Sequence, residues 1–468
     1  MRRARLMASL TAVVLAFVSV ATLVSLATSA AARDATPAPA ALAERPGDKD
    51  LGYRILSELV TRFGARPAGS DADHAAAAWL AGQLKVLGFE GVGLESFPLE
   101  RWSPGVSSVS VTGAHAQMLV ATPLGGLVAG PPVEAPVASF TSYADFLAAP
   151  AASIRGRIVA VLEPLPRTQD GSGYLRMAVI RGAGPGEAMR RGAVGFVMRS
   201  LATHENRIAS SGATTPLPRP FPAFSLSPPD AEQLGRLAAR GTVTLRLDSS
   251  AGWIGPGTSQ NVVASVPGRD PAAPPLLIAA HIDSWEQGTG AVDNGFGLAT
   301  VIAAAKRIAD LPERPRRSIK VVLFGAEEVS QPDPVKNFAG ARAYLRLHRN
   351  APRLDLASES DWGGGRVLRL RYPAGDGDLQ ENLRAALAPI GVNVIPEPPE
   401  SGTPDVNVLA DSGVPLFRLD QDASALFDTH HTPNDTLAKV DCGALEQNVS
   451  AWALSVWVLA NRPVSGGR

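Results

Sequence analysis

The stretch AAHIDSWEQGTGAVDNGFG, Ala279–Gly297, follows the apolar run PPLLI and reads as the end of a buried strand entering a glycine-rich turn. His281 closes the strand, Asp283 follows two residues on, and Asp293 lies in the turn. Imidazole and carboxylate groups do not gather at the end of a core strand without a partner, because burying a charge alone is costly.

Downstream, strand-like and helix-like patterns alternate. The strand-like runs are SQNVVASVPG, PPLLIAAHID, SIKVVLFGAEE, LDLASESDW, VLRLRYP, VNVIP and VPLFRLD. The helical ones are GLATVIAAAKRIADL, FAGARAYLRLHRN, GDLQENLRAALAPIG and the terminal LEQNVSAWALSVWVLANR. Strands separated by helices imply an α/β fold, a mixed and mostly parallel sheet covered on both faces, with sites beyond the C-terminal strand ends. Upstream, Leu51–Phe63 and Ala75–Leu87 show helical spacing, Gly88 reads as a C-cap, and a strand follows around Val92–Phe97. From Ser107 to Asp248 short β-like runs such as GRIVAVLEP and GTVTLRLDS alternate with Pro and Gly. Helical stretches are expected only at Tyr143–Leu147 and Ala231–Ala239. The expected organisation is an α/β body made of 49–106 and 253–468, with a β-rich unit inserted at 107–252.

The chain has 468 residues, enough for two folded units. Its 44 Lys and Arg balance 44 Asp and Glu, so no field of one sign favours nucleic acid or an anionic membrane. The single cysteine, Cys442, excludes an internal disulfide framework. At the N-terminus Arg2, Arg3 and Arg5 precede an apolar stretch and then small residues. Residues 1–32 read as a secretory signal, with an uncleaved single-span anchor as the rival, and 33–48 read as an Ala- and Pro-rich linker. The expected location is secreted, or periplasmic in the cell envelope.

Potential ligands end the strands of the α/β part: His281, Asp283 and Asp293, then Glu327 and Glu328, then Glu359 and Asp361, then His430 and His431 in DTHHTPNDT. Each alone has an ordinary reading. A histidine at a strand end is commonly a satisfied core residue, Asp-Asn-Gly is a turn, and an EE pair is a solvated loop. Four segments converging on one sheet edge are different, since carboxylates brought together repel strongly unless a cation separates them. Imidazole with carboxylate suits zinc, with cobalt or manganese as substitutes. Glu327 and Glu328 would point to opposite sides of a regular strand, so both reach one site only if the strand ends by Ala326 and the chain turns.

These segments resemble the M28 family of zinc aminopeptidases, in particular its carboxypeptidase Q branch. The matching motifs are HIDSWEQGTGAVDNGFG, FGAEE, ESDWG, SGTPDVNVLADSGVP and HHTPNDT in the family's order, with RPAGSD and GRIVAV upstream. The resemblance implies a protease-associated-like character for the inserted unit, bordering the cleft and limiting substrate size. It also implies two zinc ions per chain. Asp293 would bridge them, His281 and Asp361 would complete one ion, and Glu328 and His431 the other. Glu327 would be the general base acting on the water between them. Asp283 would accept from the far nitrogen of His281, and a cis peptide is expected at Asp293–Asn294. His430, Ser284, Trp285, Gly290 and Asp405 are expected near the substrate, and His430 stands in for a missing oxyanion-binding tyrosine.

The implied activity is a zinc-dependent exopeptidase, an aminopeptidase or dipeptidase. Its substrates would be small peptides with a free N-terminus. No nucleic-acid partner and no membrane contact beyond an N-terminal anchor are expected, and the branch implies a homodimer. Two other classes share the fold: a metal-free binding protein, and a single-zinc acyltransferase of the glutaminyl cyclase kind. An intact ligand set with Glu327 argues against the first, and His281 with Asp361 against the second.

Overall fold

In the computed structural model, residues 38–43, 50–375 and 377–463 are described. The leader read at 1–32 lies outside them, and the linker read at 33–48 is described only at 38–43. Helices α1 (Asp50–Phe63) and α2 (Asp71–Val86) come first. Ser70 caps α2 by accepting from the Asp73 amide at 3.1 Å, and Asp71 and Asp73 sit in its positive first turn. Strand β1 (Glu90–Ser103) then runs well past the expected Phe97.

A separate sheet follows, built from β2 (Ser107–Thr112), β3 (Gln117–Leu119), β4 (Ala121–Pro123), β5 (Val133–Phe140), β6 (Ile158–Val161), β7 (Gly195–Arg199), β8 (Ala223–Leu226) and β9 (Thr244–Ser249). Its order is β3-β2-β9-β5-β6-β7-β8-β4, with β5 to β8 parallel to one another and antiparallel to β9 and β4 at either side. Three α-helices accompany it: α3 (Tyr143–Ala148), α4 (Ser172–Arg190) and α5 (Pro228–Ala238). The long α4 departs from the sequence reading, in which its Gly and Pro content signals turns. Its buried Met177, Ile180, Gly184 and Ala188 recur at helical spacing, and this apolar stripe against β7 outweighs weak local propensity. At Gly184 the helix lies close on β7, since a Cβ there would stand 2.8 Å from the Phe196 ring.

The chain then forms β10 (Gly252–Val266), β11 (Leu276–His281), α6 (Phe296–Ala309), β12 (Ile319–Phe324), α7 (Ala339–Leu347), β13 (Leu356–Glu359), β14 (Val367–Arg371), α8 (Gly377–Leu387), β15 (Asn393–Ile395), α9 (Pro404–Asp411), β16 (Arg418–Gln421) and α10 (Cys442–Asn461). The main sheet has the order β1-β10-β12-β11-β13. A parallel bridge from Ala357 to Leu416 leads on to a smaller sheet, β15-β14-β16. The fold is mixed α/β, but less parallel than expected. β1 and β10 pair as a long antiparallel ribbon and β10 is antiparallel to β12, leaving β11 between two parallel neighbours.

All six residues of β11 are buried, which explains why its sequence is apolar without alternation. The main core joins α1, α2, α6 and α10 to one face of this sheet, while α7 and α9 cover the other. No helix among the described residues is long and apolar enough to cross a membrane.

Candidate metal centre

Three adjacent strands deliver polar groups to one edge. His281 ends β11, Glu327 and Glu328 follow β12, and Asp361 follows β13. β12 stops at Phe324 and Ala326 takes φ +61°, so the chain turns and both glutamates reach the same cavity. Asp293 comes from the turn before α6, and its peptide to Asn294 is cis.

The donor atoms converge on Asp293. Its Oδ1 lies 3.2 Å from His281 Nε2 and its Oδ2 lies 3.2 Å from His431 Nε2. Asp361 Oδ1 is 3.2 Å from His281 Nε2, and Glu328 Oε2 is 3.1 Å from His431 Nε2. His430 stacks on His431 with ring centroids 3.6 Å apart, and its Nε2 reaches only Asp293, at 3.5 Å. Of the two histidines, His431 alone meets both acids of its half.

Buried backbone and side-chain groups fix this arrangement. Asp435 accepts from the amides of Val292 at 2.6 Å and Asp293 at 3.1 Å. Arg66 is fully buried and donates to the carbonyls of Ile282, Gly64, Thr289 and Gly290, tying together both ends of the loop from His281 to Asp293. Asp283 departs from its expected role. Its backbone carbonyl accepts from His281 Nδ1 at 3.0 Å, while its carboxylate is 3.7 Å from that nitrogen. The carboxylate instead accepts from the amides of Glu327 at 3.0 Å and Glu328 at 3.1 Å, so it braces the turn that presents them.

Other expected residues fall outside the main cavity. Ser284, Trp285 and Gly290 line a small space behind the ligands, where the Ser284 hydroxyl accepts from the Arg66 amide. Asp405 is 0% exposed in the first turn of α9, beneath Glu359 rather than on the cavity wall. The cavity, about 240 Å³, is lined by Trp362 of the ESDWG motif and by residues the motifs do not flag, among them Tyr174, Arg181 and Phe338. Tyr174 and Arg181 come from α4, beside the other sheet, and no local pattern announces them. Arg66 and Asp435 lie within motifs, RPAGSD and TPNDT, where turn-like neighbours hide their role.

The electrostatics suit a site that holds a cation. Burial raises Glu327 well above the usual carboxylate range, and Glu328 and Asp361 add to the rise while His281 opposes it. Burial pushes Glu328 up to about 7 against the pull of His431. Burial alone would lower His281 and His431, yet the facing carboxylates outweigh it, holding His281 well above its ordinary value and His431 at about 10. Glu328 Oε1, though buried, has no hydrogen-bond partner. Donor separations of 3.1–3.2 Å match a tetrahedral ion with ligands at 2.0–2.1 Å, which sets neighbouring ligand atoms roughly 3.3 Å apart. His281, Asp293 and Asp361 form one set within ion-binding reach, and Asp293 with the histidine pair another. The residues present fit divalent ions of the zinc kind.

Comparison with known proteins agrees. The profile described as Peptidase family M28 matches residues 261–456. The crystal structure of a peptidase M28 precursor from Shewanella amazonensis superposes with a TM-score of 0.83 at 37% identity, over 89% of this chain and 94% of that one. This chain belongs to peptidase family M28. Within the family it is related to carboxypeptidase Q, sharing 28% identity with the Bos taurus protein over 422 residues, 88% of this chain and 86% of that one. A zinc aminopeptidase from Bacillus subtilis shares the fold, with a TM-score of 0.60 at 18% identity over 87% of this chain and 94% of that one. The M28 assignment makes the chain a metallopeptidase, and the cluster at the end of β11 lies within the matched residues.

Proposed function

We propose that this chain is an exopeptidase that holds two zinc ions and hydrolyses short peptides or dipeptides with a free N-terminus, outside the cytoplasm. The observation that carries this reading is Asp293, whose two oxygens each lie 3.2 Å from a different histidine, a bridging position between two ligand sets. His281 and Asp361 would hold one ion, Glu328 and His431 the other, with Asp293 shared. Zinc held there would polarise the scissile carbonyl and acidify water, with cobalt or manganese as substitutes.

Glu327 is the general base. It lines the cavity, and burial raises its carboxyl well above the usual carboxylate range, which makes it a stronger base than an exposed glutamate. It takes a proton from the attacking water as the oxygen adds to the carbonyl carbon. It then returns that proton to the leaving amine nitrogen as the C–N bond breaks. Asp283 holds the Glu327 and Glu328 amides, and Asp435 holds that of Asp293, so these side chains need little reorganisation during the reaction. The eight-stranded unit, read as protease-associated-like, borders the cleft through α4 and limits the length of substrate.

The test is metal content of the purified protein together with hydrolysis of a dipeptide panel before and after chelation. About two zinc ions per chain, with cleavage lost on chelation and restored by zinc, is the result expected of a two-metal site. Absence of both metal and cleavage after zinc is supplied would overturn it.

A further inference from the structure

Arg181 is the only lysine or arginine lining the cavity among the described residues, and it faces a centre built of carboxylates. It pairs with none of them. Its Nε donates to the Ala213 carbonyl at 3.2 Å, Nη1 to the Ser211 carbonyl at 3.5 Å and Nη2 to the Tyr174 hydroxyl at 2.7 Å. A guanidinium carries five N–H donors, so two remain, enough for both oxygens of a carboxylate. By contrast, nearby Arg167, which precedes α4, is already taken by both oxygens of Asp428, at 3.0 and 2.7 Å.

The position is fixed. Arg181 and Tyr174 lie seven residues apart, two turns along one face of α4. The Tyr174 ring stacks on Phe427 at 4.5 Å and meets the edge of His430 at 5.1 Å, and the guanidinium lies 5.5 Å from the Tyr174 centroid. Two rings, Tyr174 and His430, therefore link Arg181 to His431. Two dications would balance the charges of Asp293, Glu327, Glu328 and Asp361, leaving the charge of Arg181 to be met by the substrate. The cavity, about 240 Å³, is below the usual range for drug-sized ligands.

We propose that Arg181 receives the free carboxylate of a short substrate and makes the cavity selective for dipeptides over longer or C-terminally blocked peptides. This rests on the peptidase reading above. Arg181 is a specificity-determining residue supplied by the helix beside the other sheet.

The experiment compares alanyl-alanine with its C-terminal amide on the zinc-loaded protein. Binding is measured by calorimetry on Glu327→Gln, and kcat/KM on the unaltered chain. The free acid is expected to bind, and to be cleaved, roughly tenfold to hundredfold better, the effect of a charge-assisted bond. Arg181→Gln brings both ratios towards one, and Arg181→Lys restores part of them. Tyr174→Phe, which removes the hydroxyl that orients the guanidinium, lowers the ratios less and serves if Arg181→Gln does not fold. Equal binding of acid and amide by the protein with Arg181 intact overturns the proposal, whether or not they are cleaved. A binding preference for the acid with no cleavage of either overturns the peptidase reading and leaves the anchor standing.

Discussion

The two walls of the cavity are built by different means. The wall bearing the acids and histidines is held by buried groups that grip the backbone: Arg66 on four carbonyls, Asp283 and Asp435 each on two amides. The facing wall is held largely by rings, Tyr174 against Phe427 and His430, and by the packing of α4 on β7. Backbone hydrogen bonds fix a donor atom to within the tolerance that metal ligation and proton transfer demand. Ring stacking fixes a surface, which suffices to admit or refuse a substrate. Chemistry and selectivity should therefore separate under mutation.

The sharpest break is Glu327→Gln. Kcat is expected to fall by about 10²–10⁴ with zinc content unchanged, since the side chain is placed as the base and not as a ligand. Unaltered turnover in the zinc-loaded variant would remove the base assignment. Next comes Asp435→Asn, which gives up one acceptor beneath the Asp293 loop. Zinc affinity or kcat should drop roughly tenfold to hundredfold, as titration against a chelator and steady-state kinetics would report. Gly184→Val acts on the other wall. Its side chain would press on Phe196, costing about 1–3 kcal/mol in a thermal or denaturant melt. The displaced α4 should alter the preference for acid over amide while leaving zinc binding intact, and loss of zinc instead would show that the walls are coupled.

The smallest effect is expected at Asp73, whose carboxyl burial raises to about 6 from 3.8. The folded state holds this proton more tightly than the unfolded chain does. The resulting stability is complete below the unfolded value and is lost as pH rises through about 6. In Asp73→Asn the fall in urea midpoint between about pH 4 and about pH 7 should be shallower than in the unaltered chain. An identical fall in both would show that Asp73 titrates alike in the two states.

The same division explains what the sequence reveals. His281, Glu327, Glu328, Glu359 and Asp361 are legible as candidates because polar residues closing apolar runs stand out and strand ends gather at one edge, whereas the choice of His281, Asp293, Glu328, Asp361 and His431 as ligands comes from the family resemblance. The turn at Ala326 is legible too, since two adjacent glutamates cannot otherwise share a site. Arg181 and Tyr174 are not, since they sit a hundred positions or more from the nearest expected ligand and reach the cavity only through packing between the two sheets. Helix α4 is hidden by its own Gly and Pro, whose cost the stripe of Met177, Ile180, Gly184 and Ala188 offsets only once β7 is present. Asp283 is legible as a residue that matters, but not in direction, because carbonyl and carboxylate of one residue compete for the same histidine. The antiparallel ribbon of β1 and β10 escapes because strand patterns carry no sign of pairing direction.

Helix α10 has a consequence of another kind. Every residue from Ala444 to Asn461 is buried, and the helix packs against α1, α6 and α8. With no face left to solvent from Ala444 to Asn461, this helix cannot be displaced without opening the α/β core around it. Without it, α1 and α6 lack the surface they close upon. Removing it would open the main α/β core, whereas the clusters between the eight-stranded sheet and its helices do not draw on it.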